Sequence, residues 1–221
     1  MKKFFFLAAL AGAVLVSCTK NESVEPEQQD LITFAEPVTA LNTKAVEIGE
    51  HYPTSQNFSV FAHYYTAAEG GYTSFADGDL YMNDVRTSYN SVINGWDPKT
   101  GSGVNYYWPK QGTLTFAAYS PSSVDATYDK AGIHFADYVV DTDCTKQIDL
   151  LYSERSYDQT KDMMVTNNPY NGVQIKFNHA LSSILFSART EDTYTGTTIT
   201  LKEISLLNIK SKGTFNQTLT D

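Results

Sequence analysis

The side chains of this sequence that could perform chemistry are four histidines, two cysteines and a large set of carboxylates. Zinc is held by histidine and cysteine side chains at short, regular spacings, and no two of these residues have such a spacing here. The sequence also lacks the Gly-x-Ser-x-Gly, Walker and Gly-x-Gly-x-x-Gly motifs of hydrolase, nucleotide and dinucleotide sites. We therefore predict no metal site and no cofactor, and we interpret His63 and His179 as structural residues.

Two groups of acids could bind calcium, namely Asp77, Asp79 and Asp84, and the pair Asp141 and Asp143. Neither group has the glycine and terminal glutamate of an EF-hand loop, so solvated turn acids are the preferred interpretation. A glycosidase needs two carboxylates at a fixed distance in a cleft, and a sequence alone does not show such a distance.

A cluster of aromatic residues could stack against sugar rings, because flat apolar rings suit the faces of pyranoses. The cluster consists of Trp96, Tyr106, Tyr107 and Trp108. For Trp108, which is flanked by strand-like residues and Pro109, core packing is favoured over sugar binding. Trp96 lies in a loop-like stretch, and both interpretations remain open for it.

Cys18 is the residue with the most specific chemical prediction. Residues 1–17 contain two lysines and then an apolar run, which is typical of a secretory signal and too short to span a membrane. The string Leu15-Val16-Ser17-Cys18 resembles the lipobox of bacterial lipoproteins, which implies a diacylglyceryl thioether on Cys18, cleavage before it and acylation of the new amine. The alternative is an ordinary signal with a chance cysteine. If Cys18 forms the thioether, Cys144 has no disulfide partner within the chain, and we predict that Cys144 is buried or half-buried.

Residues 18–30 are polar and acidic, and they are predicted to form a flexible tether between the lipid and the folded body. Lys20 followed by Asn21-Glu22 is similar to the signal that sends some lipoproteins to the outer face of the outer membrane, although a plain linker explains it as well. The whole chain has a formal charge of −9, and an acidic protein repels phosphate backbones. We therefore predict no nucleic-acid partner.

The body of the chain has the pattern of an all-β fold. The segments 58–65 and 114–119 alternate apolar side chains as strands do, and the first places Phe58, Val60 and Ala62 on one face and Phe61 on the other. Residues 83–105 are interpreted as loop-like because glycine, proline and asparagine punctuate them. A faintly helical patch lies at 162–164. Many short strands at turn-punctuated spacing predict a β-sandwich.

The last third of the sequence has a regular alternation of apolar residues. We predict strands there, with Ile184 and Phe186 buried beside Phe116 on the inner face of the sandwich. The alternation changes phase at Lys202-Glu203, which predicts a β-bulge. The sequence stops within a strand-like run, so we expect it to be a fragment or a truncated product of a longer protein.

Several stretches in this order after a lipobox resemble the fimbrillin-like family of lipoproteins from Gram-negative anaerobes. They are F-S-V-F-A-H-Y-Y, Y-Y-W-P-K-Q-G-T-L-T-F-A-A-Y-S-P, Q-I-D-L-L-Y, V-Q-I-K-F-N-H-A-L-S-S-I-L-F and K-G-T-F-N, within residues 31–216. The resemblance implies a transthyretin-like β-sandwich domain at 31–190 and the start of a second β-sandwich domain at 191–221.

The resemblance also implies a function without catalysis. The expected protein is a cell-surface structural or adhesive lipoprotein, that is, a pilus subunit, tip or anchor held at the outer membrane by its lipid. Its partners would be other fimbrial subunits, joined by strand addition, and host or glycan ligands. The alternative is a glycan-binding surface lipoprotein of a polysaccharide-uptake system, which would share the lipobox and the sandwich.

In fimbrillins a protease cuts after a basic residue near the first strand, and a strand of a neighbour fills the groove. Here residues 31–34 are a candidate first strand, and Lys44 lies in the polar stretch Asn42-Thr43-Lys44-Ala45 that follows. Exposed polar segments are where proteases cut. Lys44 is therefore the candidate processing site, and the alternative is an ordinary solvated lysine.

Overall fold

A computed structural model describes residues 31–39, 51–99, 103–166, 172–184, 186–189, 196, 198 and 200–219. Its secondary structure is almost entirely β-strand, which confirms the all-β prediction. The short helix α1 (Lys161–Thr166) coincides with the predicted helical patch. The strands are β1 (Val38–Thr39), β2 (Phe58–Tyr65), β3 (Asp79–Asn90), β4 (Gly95–Pro98), β5 (Thr113–Ser120), β6 (Thr127–Asp129), β7 (Gly132–Val139), β8 (Leu151–Ser153), β9 (Ser156–Gln159), β10 (Lys176–His179) and β11 (Lys212–Asn216).

The larger of two sheets has the strand order β1-β10-β8-β5-β2-β3-β4, and β9 pairs with β5 beside β8. Neighbouring strands are antiparallel except for β1 and β10, which are parallel. The two ends of this order are brought together by the segment that leads into β1, because Phe34 forms bridges with both Trp96 and Val173. The sheet therefore curls until its edges meet on either side of residues 31–39, which we call the closing segment.

The central strands β2 and β5 are buried on both faces, which is why nearly all of their side chains are apolar or small. Phe58, Val60 and Ala62 point into the curl of the sheet and Phe61 points out of it, as the alternation predicted. Phe116 is also fully buried, as expected. The inner cluster within the curl comprises Ile32, Phe34, Tyr52, Phe58, Val60, Ala62, Met82, Val85, Trp96, Trp108, Leu114, Phe116, Ala118, Leu151, Val173, Ile175 and Phe177.

The smaller sheet has the order β11-β7-β6 and covers the outward face of β2 and β5. Gln217, which follows β11, is buried and ties the two sheets together: it accepts a hydrogen bond from the Ile133 amide at 2.8 Å and donates one to the Ser153 carbonyl at 3.0 Å. The arrangement is sandwich-like, and the specific transthyretin-like type stays a prediction. The outer cluster between the sheets comprises Phe61, Ala117, Tyr119, Ile133, Phe135 and Leu150.

The prediction that residues 83–105 are loop-like is wrong for most of the stretch. Strand β3 continues to Asn90 and forms a hairpin with β4. The turn residue Asn94 has a φ of 49°, a left-handed conformation that asparagine tolerates before a glycine. The turn signals were therefore correct, but they mark the end of a long strand whose outward positions are polar.

The prediction that Ile184 and Phe186 are buried is also wrong, because they are 58% and 50% exposed. Among the described residues from 181 to 211 no strand forms, so the alternation has no sheet to face and the bulge predicted at Lys202-Glu203 is absent. Residues 212–216, which were assigned to a second domain, form β11 and pair with β7. The division of the chain at residue 190 stays a prediction.

Candidate functional site

The closing segment bonds to one edge of the curled sheet in the antiparallel sense. The Phe34 amide donates to the Trp96 carbonyl at 2.8 Å, and the Trp96 amide donates to the Phe34 carbonyl at 2.9 Å. Two residues earlier, the Ile32 amide donates to the Tyr106 carbonyl at 2.9 Å. Paired bonds between opposed residues are the pattern of an antiparallel ladder.

The same segment bonds to the opposite edge in the parallel sense. The Val173 amide donates to the Thr33 carbonyl at 2.9 Å, and the Ala35 amide donates to the Val173 carbonyl at 3.1 Å. Further along, the Val38 amide donates to the Ile175 carbonyl at 3.0 Å. A single stretch of chain therefore occupies the whole gap between the two edges of the sheet.

The side chains of the closing segment complete the inner cluster. Ile32 and Phe34 are buried at alternate positions, with 1% and 0% of their surfaces exposed. The Phe34 ring meets Phe58 and Phe116 edge-to-face, with centroids 5.7 and 5.5 Å apart. Each such aromatic pair contributes about 0.5–1.5 kcal/mol beyond the burial of its area. The closing segment therefore pairs with both edges of the sheet through its main chain and fills part of the core with its side chains.

Two glycines allow the segment to lie close to its neighbours. A Cβ atom on Gly172 would lie 2.6 Å from both the Ala35 amide nitrogen and the Phe34 carbonyl carbon. On the opposite side, a Cβ on Gly95 would lie 3.1 Å from the Phe34 carbonyl oxygen. Because the obstructing atoms at Gly172 are backbone atoms, a side chain there cannot be accommodated by rotating another side chain. The only signal of this role in the sequence is an isolated glycine next to a strand-like stretch, and it was not predicted.

The two residues with chemical predictions, Cys18 and Lys44, lie outside the described residues. Lipidation and cleavage therefore stay predictions. Cys144, which was predicted to be at least half-buried, is exposed, so that prediction is wrong. It is the first residue of a short 3-10 helix, Cys144–Lys146, whose N-cap Asp143 accepts hydrogen bonds from Thr145. No residue of this helix is buried, so the thiol lies at the surface.

The aromatic candidates for sugar stacking are mostly in the core. Trp96 is 2% exposed and packs against Tyr52 and Tyr89, so its face is not open to a ligand. Trp108 is 8% exposed and meets Phe116 edge-to-face, which confirms the core interpretation. Tyr106 and Tyr107 lie outside the named strands and pair with the closing segment itself, through the bond from the Ile32 amide to the Tyr106 carbonyl and the bridge between Leu31 and Tyr107.

The histidines and acids have local structural roles. His179 shares a hydrogen bond of 2.8 Å with Asp149, and His63 packs on Phe75 with ring centroids 4.6 Å apart. Burial, helped by the charge of Arg155, lowers the pKa of His63. Hydrogen bonds from the Ser74 and Thr73 hydroxyls lower the pKa of Asp77, as expected of a turn acid. No group of three or more metal-binding side chains lies together in the part of the chain that the structure describes.

A fimbrillin-like family profile matches residues 43–221, which is most of the chain. The chain belongs to the fimbrillin-like family. This membership confirms the resemblance in the sequence and indicates a fimbrial or cell-surface subunit of a structural kind. No curated protein and no solved structure matches the fimbrillin-like chain. Within its described residues, no helix is long and apolar enough to cross a membrane.

Proposed function

We propose that this fimbrillin-like chain is a pilus subunit, tip or anchor that is tethered to the outer membrane by a lipid on Cys18 and joins its neighbours by donor-strand exchange. The observation that supports the proposal is that the closing segment forms hydrogen bonds with both edges of the curled sheet and fills part of its core. A neighbour's strand that took the same path would make the same two sets of bonds. This is β-augmentation, in which main-chain bonds give affinity and alternate side chains fill pockets.

Loss of the closing segment would leave a groove that strongly favours another strand. It would free the main-chain amides and carbonyls of Trp96 and Val173, together with the carbonyls of Tyr106 and Ile175. It would also open the space now filled by Ile32 and Phe34. Unpaired sheet edges beside exposed apolar surface readily pair with another chain. An incoming strand would need apolar side chains at alternate positions.

Cleavage after Lys44 is the proposed trigger. The closing segment ends five residues before Lys44, so a cut there leaves residues 31–39 attached to the body only by non-covalent contacts. The region that matches the family profile begins at residue 43, beside this position. The same cut would separate the body from the lipid on Cys18. In this proposal a cleaved copy is held only by its neighbours, whereas an uncleaved copy remains attached to the membrane.

Limited trypsin digestion tests the assembly mechanism. We expect an early cut after Lys44, in addition to any cut after Lys20 in the predicted tether, because residues 31–39 are protected by pairing and Lys44 is the first basic residue after them, in a polar stretch of sequence. A synthetic peptide with the sequence of residues 31–39, carrying a fluorophore, should then be captured by the cut protein and not by the intact protein. Intact mass and native gels provide the readouts.

The control is a peptide in which the residues equivalent to Ile32 and Phe34 are replaced by aspartate, which should not bind. First cuts elsewhere, with residues 31–44 kept intact throughout, would make the closing segment a permanent strand and would reject the exchange mechanism.

Lipid attachment is tested separately. The replacement Cys18→Ala should abolish incorporation of a radioactive fatty acid, because the thioether needs the Cys18 sulfur, and should release the protein from the membrane fraction. The control is Cys144→Ala, which removes the other thiol and should leave labelling unchanged. Labelling that persists in the Cys18 variant would contradict the lipoprotein assignment.

A further inference from the structure

A pair of cations on the outward face of the β3–β4 hairpin has no role in closing the sheet. Arg86 and Lys99 lie opposite each other across the hairpin, where the Lys99 amide donates to the Arg86 carbonyl at 3.1 Å. Like charges in directly opposed positions on a sheet repel each other. The chain has 25 acidic and 16 basic residues, so two adjacent cations stand out against its overall charge.

The local charges leave Arg86 in excess. The Lys99 ammonium lies 3.0 Å from an Asp97 carboxylate oxygen, and the Asn90 side-chain amide donates to the same oxygen at 3.1 Å. Lys99 and Asp97 therefore neutralise each other. The exposed Arg86 guanidinium forms no hydrogen bond or ion pair with any residue that the structure describes. A guanidinium in this situation offers a planar pair of donors that matches a carboxylate.

Two cavities meet at Arg86. One, of about 440 Å³, lies over the hairpin and is lined by Arg86, Ser88, Tyr89, Asn90, Asp97 and Lys99. The other, of about 480 Å³, extends from Arg86 toward Gln56, Asn57, Gln147 and Asp149. The Asp149 carboxylate is engaged by His179, whose ring nitrogen lies 2.8 Å from one of its oxygens. We call the two together the Arg86 groove. The volume of each cavity is in the range of small-molecule sites, and the walls combine hydroxyls, amides and charged groups with apolar surface from residues such as Pro121 and Ile148.

We propose that the Arg86 groove binds an acidic oligosaccharide of the uronic acid type. Arg86 holds one carboxylate through paired hydrogen bonds, and Lys99 lies beside it for the same or the next acid group. The hydroxyls and amides of Ser88, Asn90 and Asn57 hydrogen-bond to sugar hydroxyls. A groove that runs to both sides of the cation suits a chain of sugars better than a single residue.

An acidic peptide fits the groove less well. Extended peptides are usually held by main-chain bonds at a free sheet edge, and the edge of β4 already bonds to Phe34. The net charge of −9 opposes general attraction of polyanions, so binding depends on the local pair of cations and on the polar walls. The site does not depend on strand exchange, because it lies away from the closing segment's side chains.

The test is the affinity of the full-length protein, purified in detergent, for a fluorescently labelled oligogalacturonate. The replacements Arg86→Gln and Lys99→Gln should each weaken binding by at least about tenfold, because each removes one or more charge-assisted hydrogen bonds. Asp97→Asn should tighten binding, since it removes the partner that competes for Lys99. The exposed Lys110, outside the groove, provides the matched control: Lys110→Gln should bind like the unaltered protein.

Two further comparisons decide the ligand class. The methyl ester of the same oligogalacturonate, which keeps the shape and hydroxyls but has no charge, should not bind measurably. Polyglutamate should not compete. Equal binding of acid and ester, effective competition by polyglutamate, or unchanged affinity of the Arg86 variant would each overturn the proposal. Thermal melting of each variant confirms that it is folded, and none of these outcomes bears on strand exchange.

Discussion

Replacing Phe34 by alanine is expected to lower the free energy of unfolding by about 3–5 kcal/mol, the usual cost of truncating a buried phenylalanine. The ring is fully buried between Phe58 and Phe116, and the cavity left behind is enclosed by a sheet whose edges it helps to join. This loss is a large part of the ~5–15 kcal/mol that stabilises a typical domain. Urea unfolding, followed by tryptophan fluorescence, measures it.

Phe135→Ala is the matched control for Phe34→Ala. Phe135 is as fully buried as Phe34, but it lies in the outer cluster and packs against Tyr119 and Phe215. Both variants should be destabilised to a similar extent, whereas only Phe34→Ala should speed the trypsin cut after Lys44. A Phe34 variant that melts within a few degrees of the unaltered protein would show that the closing segment contributes little to the core.

The second large effect is expected from Gly172→Ala, which adds a single methyl group. The carbon of this methyl group would lie 2.6 Å from backbone atoms of Phe34 and Ala35, so either the closing segment or the chain that leads into β10 must shift. Overpacking of this kind costs about 1–3 kcal/mol. Hydrogen exchange followed by mass spectrometry should show faster exchange in residues 31–39, because their bonds to Val173 are the first to lengthen.

Gly213→Ala controls for the general effect of replacing a glycine by alanine. Gly213 also lies in the sheet region, but a Cβ atom there would have no other atom within 4 Å. Its replacement should leave exchange in residues 31–39 unchanged. If Gly172→Ala leaves exchange there equally unchanged, the closing segment is not held by close packing against Gly172.

The strands that the sequence predicted best are those whose partners are also rich in apolar residues. In β2 and β5 the alternation of Phe58, Val60 and Ala62 with Phe61 identified both the strand and its two faces, because each face has its own cluster. Their apolar runs are long enough for each strand to be recognised from its own sequence. The β3–β4 hairpin was missed because residues such as Arg86 and Ser88 alternate with buried ones, and polar outward positions look like a loop.

Closure of the sheet could not be predicted from local patterns. Residues 31–34 were a candidate strand and form isolated bridges outside the named strands, but nothing in their sequence indicates that Trp96 and Val173 lie on their two sides. Those partners are distant in the chain, and the decisive detail is a close approach at Gly172. The same limit explains the errors at Ile184 and Phe186, whose alternation indicates a strand without indicating what it would pack against.

The parallel pairing of the closing segment with Val173 and Ile175 also sets an order of events in folding. Residues 31–39 are synthesised before the residues that flank them, so they cannot complete their pairing until Val173 and Ile175 have also emerged. Contacts between such distant parts of a chain form late and slowly. The gap therefore stays open while the chain is being made. During that interval the chain's own first strand and any neighbouring strand compete for the same place, and the covalent link of the former to the body gives it a high effective concentration.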